Sequence, residues 1–155
     1  IFERNYVKGS VVGKNYVGGF LGYSHYERPN VRFEDNYSLA DIEGTNYLGG
    51  FAGRTTQLVS RYYFNGKIRE QIEGAAGRVG GIAAEIRVAG DNSYPGLPNV
   101  YWNRDFSGVD TTDSGMGTGL NSSEAIMMDS YDGFDFGSTW NIKANSTPNL
   151  QWEDE

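Results

Sequence analysis

One imidazole is available for chemistry in this sequence, His25, within the run His25-Tyr26-Glu27-Arg28. A single histidine excludes His-Glu-x-x-His zinc chemistry and every site that needs two imidazoles. No Gly-x-Ser-x-Gly turn presents a serine to it, and the chain has no cysteine. His25 therefore reads as a solvated loop residue. Paired carboxylates come next, because a glycosidic bond is cleaved by two of them held about 5–10 Å apart. Glu70, Glu73 and Glu85, interleaved with Arg69, Arg78 and Arg87, are where such a pair would be sought. Asp105, Asp110, Asp113, Asp129, Asp132 and Asp135 supply hard oxygen atoms of the kind calcium prefers. None of them shows the Asp-x-Asp-x-Asp-Gly spacing of a calcium loop, so no metal ligand is assigned and calcium is the one cofactor left open.

Four tyrosines offer binding instead of catalysis. Tyr6, Tyr37, Tyr63 and Tyr101 each lead a strand-like stretch, with Phe2, Phe33, Val59 and Leu97 four residues before them. Stacked about 4.8 Å apart they would form an outward aromatic row. Such a row either holds sugar rings or stacks on itself and its neighbours for stability. Asn5 and Asn36 fit a structural asparagine ladder at a turn.

The elements that would position these residues come from an internal repeat. NYVKGSVVGKNYVGGFLG, residues 5–22, returns 31 positions later as NYSLADIEGTNYLGGFAG, residues 36–53. A third copy over 62–85 carries five extra residues between Gly66 and Gly80, and a fourth begins at Asn99-Val100-Tyr101 and then departs. After each tyrosine, alternation places Val7-Gly9-Val11, Ser38-Ala40-Ile42 and Phe64-Gly66-Ile68 on an inward face. A turn follows at Gly13-Lys14-Asn15 and at Gly44-Thr45-Asn46, where Gly and Asn tolerate positive φ. The next strand, Val17 to Gly22 and its copies, is apolar or glycine on both sides and needs another layer above and below it. A unit that cannot bury its own apolar side is the condition for stacking.

With 22 glycines, 11 tyrosines and 8 phenylalanines among 155 residues, the composition suits short strands and tight turns. The fold expected is all-β: a parallel β-helix or β-solenoid of about three coils over residues 1–104. Residues 105–155 are expected to be a small mixed cap closing the open end of the stack. Within it, Asn121 and Glu124 are spaced as a capping box before one short helix at Ala125-Ile126-Met127-Met128. Phe134-Asp135-Phe136, Trp140-Asn141-Ile142 and 148–152 read as strands. Formal charge is −7, placed unevenly: residues 1–104 hold 12 Lys and Arg against 10 Asp and Glu, residues 105–155 one against ten. No basic face for nucleic acid follows from that balance. No run of about eighteen apolar residues could span a membrane as a helix. The chain starts directly in a repeat at Ile1, which reads as part of a longer protein.

The repeated pattern resembles the GLUG repeat family of bacterial and archaeal surface proteins, named for a Gly-Leu-any-Gly element. Here the element is Gly19-Phe20-Leu21-Gly22, Gly50-Phe51-Ala52-Gly53 and Gly81-Ile82-Ala83-Ala84, the third lacking its closing glycine. The run after the last repeat is similar too, with Tyr101-Trp102, Gly117-Thr118-Gly119-Leu120, Phe134-Asp135-Phe136 and Trp140-Asn141-Ile142. The resemblance implies a stalk or binding module, like those accompanying adhesins and immunoglobulin A peptidases, and brings no catalytic residue with it. The expectation is a non-catalytic extracellular or cell-surface module that binds a glycan or a host or cell-surface protein, or acts as a spacer. Two alternatives stand beside it: a filament or phage-fibre subunit that associates through its open N-terminal coil, and a carbohydrate-active enzyme using paired carboxylates.

Overall fold

The repeated Gly-Gly blocks lie one above another. In the computed structural model, which describes residues 1–24, 31–74, 78–87, 99–110 and 117–155, Val17 pairs with Leu48 and Leu48 with Val79. A first pass of the chain makes β1 (Phe2–Glu3), β2 (Tyr6–Val7), β3 (Ser10–Val12), β4 (Asn15–Gly18) and β5 (Leu21–Tyr23). A second makes β6 (Arg32–Ser38), β7 (Asp41–Gly44), β8 (Asn46–Gly49) and β9 (Ala52–Thr55). A third makes β10 (Leu58–Phe64), β11 (Ile68–Glu70), β12 (Val79–Gly80) and β13 (Ala83–Ile86), and β14 (Val100–Asn103) opens a fourth.

Each strand lies parallel to its counterpart in the pass before, giving four parallel sheets among the described residues. The first holds β1 and β2, β6, β10, β14 and finally β15 (Thr118–Leu120). The others are β3-β7-β11, β4-β8-β12 and β5-β9-β13. Register shows where the third copy stretches. Tyr63 pairs with Tyr37 and Ile68 with Ile42, yet Val79 pairs with Leu48, so the five extra residues fall between β11 and β12.

The main core fills the space between the sheets. Val17, Phe33, Ile42, Leu48, Phe51, Tyr62, Phe64, Ile82, Val100 and Trp102 are all buried there, with the expected inward residues Val7, Val11 and Ile68 packed against them. Glycine matters where this packing is tightest. A Cβ on Gly50 would lie 2.3 Å from the Phe64 ring, and one on Gly81 2.4 Å from the Trp102 indole. A side chain at either position would have to displace an aromatic ring.

Alternation breaks in β6 and β10, because Asp35 (φ 54°) and Arg61 (φ 48°) sit in the left-handed region. Four residues separate Phe33 from Tyr37, which in a regular strand would put both on one face. The left-handed residue resets the alternation: Phe33 enters the main core while Tyr37 joins a second one on the other side of the sheet.

That second core is the work of residues 117–155. Expected to close the end of the stack, this stretch places β15 on the far edge of the first sheet and then runs down the sheet's outer flank. Leu120, Ala125, Tyr131, Phe134, Trp140 and Leu150 pack there against Tyr37, Tyr63 and Tyr101. The Asn121 and Glu124 box forms, with Asn121 N donating to the Glu124 carboxylate (2.8 Å) and Glu124 N to Asn121 Oδ1 (2.9 Å). It opens only a 3-10 turn, Glu124–Ile126, because Met127 is extended (φ −107°, ψ 126°). The one α-helix among the described residues, α1 (Arg104–Ser107), comes earlier, capped by the Asn103 side chain and ended by left-handed Gly108. Phe134-Asp135-Phe136 is not a strand, its last residue opening a turn, whereas β16 (Trp140–Asn141) and β17 (Asn149–Leu150) pair antiparallel. Among the described residues no helix is long and apolar enough to cross a membrane.

Candidate functional site

The tyrosine row forms, and a segment of the same chain covers most of it. Tyr6 stacks on Tyr37 at 5.3 Å, and β2, β6, β10 and β14 hold all four tyrosines in register. Tyr6 is 40% exposed, whereas Tyr37, Tyr63 and Tyr101 are buried. Tyr37 donates from its hydroxyl to the Glu153 carboxylate at 2.8 Å and packs against Trp140. Tyr63 and Tyr101 both meet the edge of Tyr131, at 5.4 and 5.3 Å. Trp152 reaches the first pass, lying 5.8 Å from the Tyr6 ring and donating from Nε1 to Arg4 O.

Burial pushes the phenols of Tyr37, Tyr63, Tyr101 and Tyr131 above their ordinary range, with Glu153 adding to the effect at Tyr37. The Tyr63 hydroxyl lies near Thr147 and Tyr131 but makes no hydrogen bond of good geometry. Asp35 ties this flank to the sheet, accepting from Trp140 Nε1 (3.0 Å) and from two nitrogens of Arg61 (2.8 and 3.0 Å). The asparagine ladder also forms: Asn36 Oδ1 accepts from Asn5 N and Asn5 Nδ2.

Several of the carboxylates singled out for chemistry accept hydrogen bonds within the chain. Glu70 accepts from Gly74 N, Glu73 is exposed, and Glu85 is 8% exposed among arginines. Asp105 accepts from Ser122 N, and Asp135 accepts from Gly137 N and Ser138 N. Among the described residues no group of three or more His, Asp or Glu stands together as a metal site would need. His25 and Asp113 lie outside the described residues, as does Leu97.

Sequence reasoning passed over a second outward face. It lies at the corner joining the sheets of β4 and β5. In one column Tyr16, Tyr47 and Arg78 follow each other through the three passes; in the neighbouring column the order is Tyr23, Arg54 and Glu85. Tyr16 and Tyr47 stack at 4.7 Å, and Tyr16 meets Tyr23 edge to face at 5.1 Å. The Arg54 guanidinium lies 5.2 Å from the centre of the Tyr23 ring. Glu85 accepts from Arg87 Nε at 2.6 Å and is 3.6 Å from Arg54 and 4.0 Å from Arg78.

The left-handed corner residues are Tyr16 (φ 55°) and Tyr47 (φ 54°), not the glycines and asparagines just before them. A non-glycine residue held there costs about 1–3 kcal/mol, which ring stacking only partly offsets. The Asn-Tyr pair recurs at 15–16 and 46–47, but it also stands at 5–6 and 36–37 without a left-handed tyrosine, so the pair by itself carried no signal for the corner. A comparison with known proteins finds no family model, curated protein or solved structure that matches the chain.

Proposed function

We propose that this chain is a β-solenoid repeat module of the GLUG type, non-catalytic, from a secreted or cell-surface protein, with residues 1–104 as scaffold and 105–155 as its covering segment. Its role on this reading is to display a binding surface, with a glycan as the partner class. One observation carries the reading. The inward columns Val17, Leu48 and Val79 and Gly18, Gly49 and Gly80 keep their size and chemistry from pass to pass, whereas the outward column Tyr23, Arg54 and Glu85 changes. A scaffold whose stability rests on its inward columns leaves the outward ones free to be set by what they touch. The test is a glycan-array screen of the intact chain with and without calcium, followed by a reducing-sugar assay on any hit. Binding without new reducing ends is the expected result; release of reducing sugar would replace this reading with the enzyme.

A further inference from the structure

We infer that Tyr6 and Trp152 together form a binding platform for a neutral pyranose sugar, the part of the tyrosine row that the covering segment completes and leaves open. The inference rests on the display-module reading and names the surface and the ligand class for it.

The platform joins the first pass to the last turn of the chain. Tyr6 lies on β2 and Trp152 in the turn Gln151–Asp154, with ring centres 5.8 Å apart and planes inclined by 32°. Both rings are held in place. Tyr6 stacks on the Tyr37 ring at 5.3 Å, and the Trp152 indole donates from Nε1 to Arg4 O at 3.3 Å. The Tyr37 hydroxyl donates in turn to the carboxylate of Glu153, next to Trp152 in the chain, so one buried tyrosine steadies both rings. Even so they stay open to solvent: Tyr6 is 40% and Trp152 46% exposed. Trp102 and Trp140, the other two tryptophans, are buried. An indole fixed in place yet half in solvent has its geometry set before a ligand arrives, which lowers the entropic cost of binding.

Size and charge select the ligand. The exposed parts of the two rings amount to about 200 Å², far below the roughly 800 Å² that a stable protein interface takes from each partner. Phe2, another exposed ring of the first pass, stands in the column of Phe33 on the main-core face of the sheet and does not extend the patch. Nucleic acid and acidic sugars meet like charge, because Glu153, Asp154 and Glu155 follow Trp152 directly. A neutral sugar suits both features. The C–H bonds on one face of a pyranose carry slight positive charge and pack on the negative face of an aromatic ring. Its hydroxyls both donate and accept. Exposed Arg4, whose backbone holds the indole, supplies donors, and exposed Asp154 and Glu155 supply acceptors.

Acrylamide quenching of tryptophan fluorescence in the intact chain reads the site directly, since Trp152 is the exposed indole. Cellohexaose, mannohexaose and chitohexaose are the neutral probes, oligogalacturonate is the charged one, and any glycan found on the array is titrated beside them. A neutral sugar is expected to shield Trp152 from acrylamide with an affinity that salt leaves unchanged, and oligogalacturonate to bind roughly tenfold or more weakly. By calorimetric titration Trp152→Ala should lose roughly tenfold or more in affinity. Its melting temperature should stay within about 3 °C of wild type, as for a half-exposed side chain. Tyr6→Thr keeps the Trp152 reporter and should weaken binding likewise, so one poorly folding variant does not remove the test. Binding that leaves Trp152 fully quenchable, preference for oligogalacturonate, or full affinity in either variant overturns this site while leaving the display module standing. No shielding by any probe, together with a silent array, overturns both.

Discussion

Tyr62 and Tyr63 are neighbours with opposite fates, because one residue of β-strand turns a side chain to the other face. Tyr62 points into the main core and donates to Gly50 O at 3.0 Å, a carbonyl that also accepts from Gly19 N. Tyr63 points into the second core with its hydroxyl unpaired. Tyr62→Phe should cost about 1 kcal/mol, the usual net worth of one hydrogen bond, while Tyr63→Phe should be neutral or stabilising, since an unpaired buried hydroxyl is a liability. Denaturant melts of the two variants check this, and equal losses would contradict the assignment. Alkali tests the tyrosines together. Tyr37, Tyr62, Tyr63, Tyr101 and Tyr131 all have phenols raised by burial, so above pH 10 the unfolded chain releases protons that the folded chain keeps. Their contribution is intact below pH 10 and is lost as pH rises beyond it, by up to about 1.4 kcal/mol per pH unit for each. Unfolding free energies measured from pH 9 to 11 should fall steeply past 10; a flat profile would mean the phenols are solvated. Sequence reasoning could place Tyr37, Tyr63 and Tyr101 in an outward row but could not see the left-handed Asp35 and Arg61 that set the row apart from Phe33 and Val59 in the main core. A positive φ leaves no trace in hydrophobic periodicity when the residue is not glycine.

Strand elements were legible because each pass repeats the same short vocabulary, and a parallel ladder rewards the match twice, once in backbone pairing and once in side-chain stacking. Val17 to Leu48 and Phe20 to Phe51 are register partners or stacked rings 31 residues apart, the spacing of the repeat itself. Helical elements were read less well. The capping box at Asn121 was real, but a box fixes only the first turn, and burying Ala125 under the Tyr131 hydroxyl (2.6 Å to Ala125 O) ended the helix there. The glycine columns give the element-scale test. Gly50→Val would drive a branched side chain into the Phe64 ring and the Gly81 carbonyl, with even a Cβ only 2.3 and 2.4 Å from them. A cost of several kcal/mol is expected, at or beyond the upper end for overpacking, because backbone blocks one side and a packed ring the other. Wild-type melting of that variant would sink the stacking register described here.

At the scale of the whole molecule, the charge asymmetry of residues 105–155 was visible in the sequence, but their seat was not. Nothing periodic in them announces that Trp140 will donate to Asp35 or Glu153 accept from Tyr37, contacts that join residues more than a hundred positions apart. Their placement along the flank changes what their removal should do. A chain ending at residue 104 would bare Tyr37, Tyr63 and Tyr101 on the outer face of the first sheet, a contiguous aromatic strip where the whole chain leaves only Tyr6 exposed. Such strips drive association, so the truncated chain is expected to aggregate and to bind hydrophobic dyes. Unpaired strand edges left by removing β15 would also drive association, and one further variant separates the two causes. Threonine in place of Tyr37, Tyr63 and Tyr101 suits an exposed strand face and leaves every edge as it was. If the truncated triple-threonine chain stays monomeric by light scattering, the bared flank was the cause and the covering segment exists to shield it. If it aggregates as fast as the plain truncation, edge pairing dominates, and the segment acts chiefly as an end closure after all.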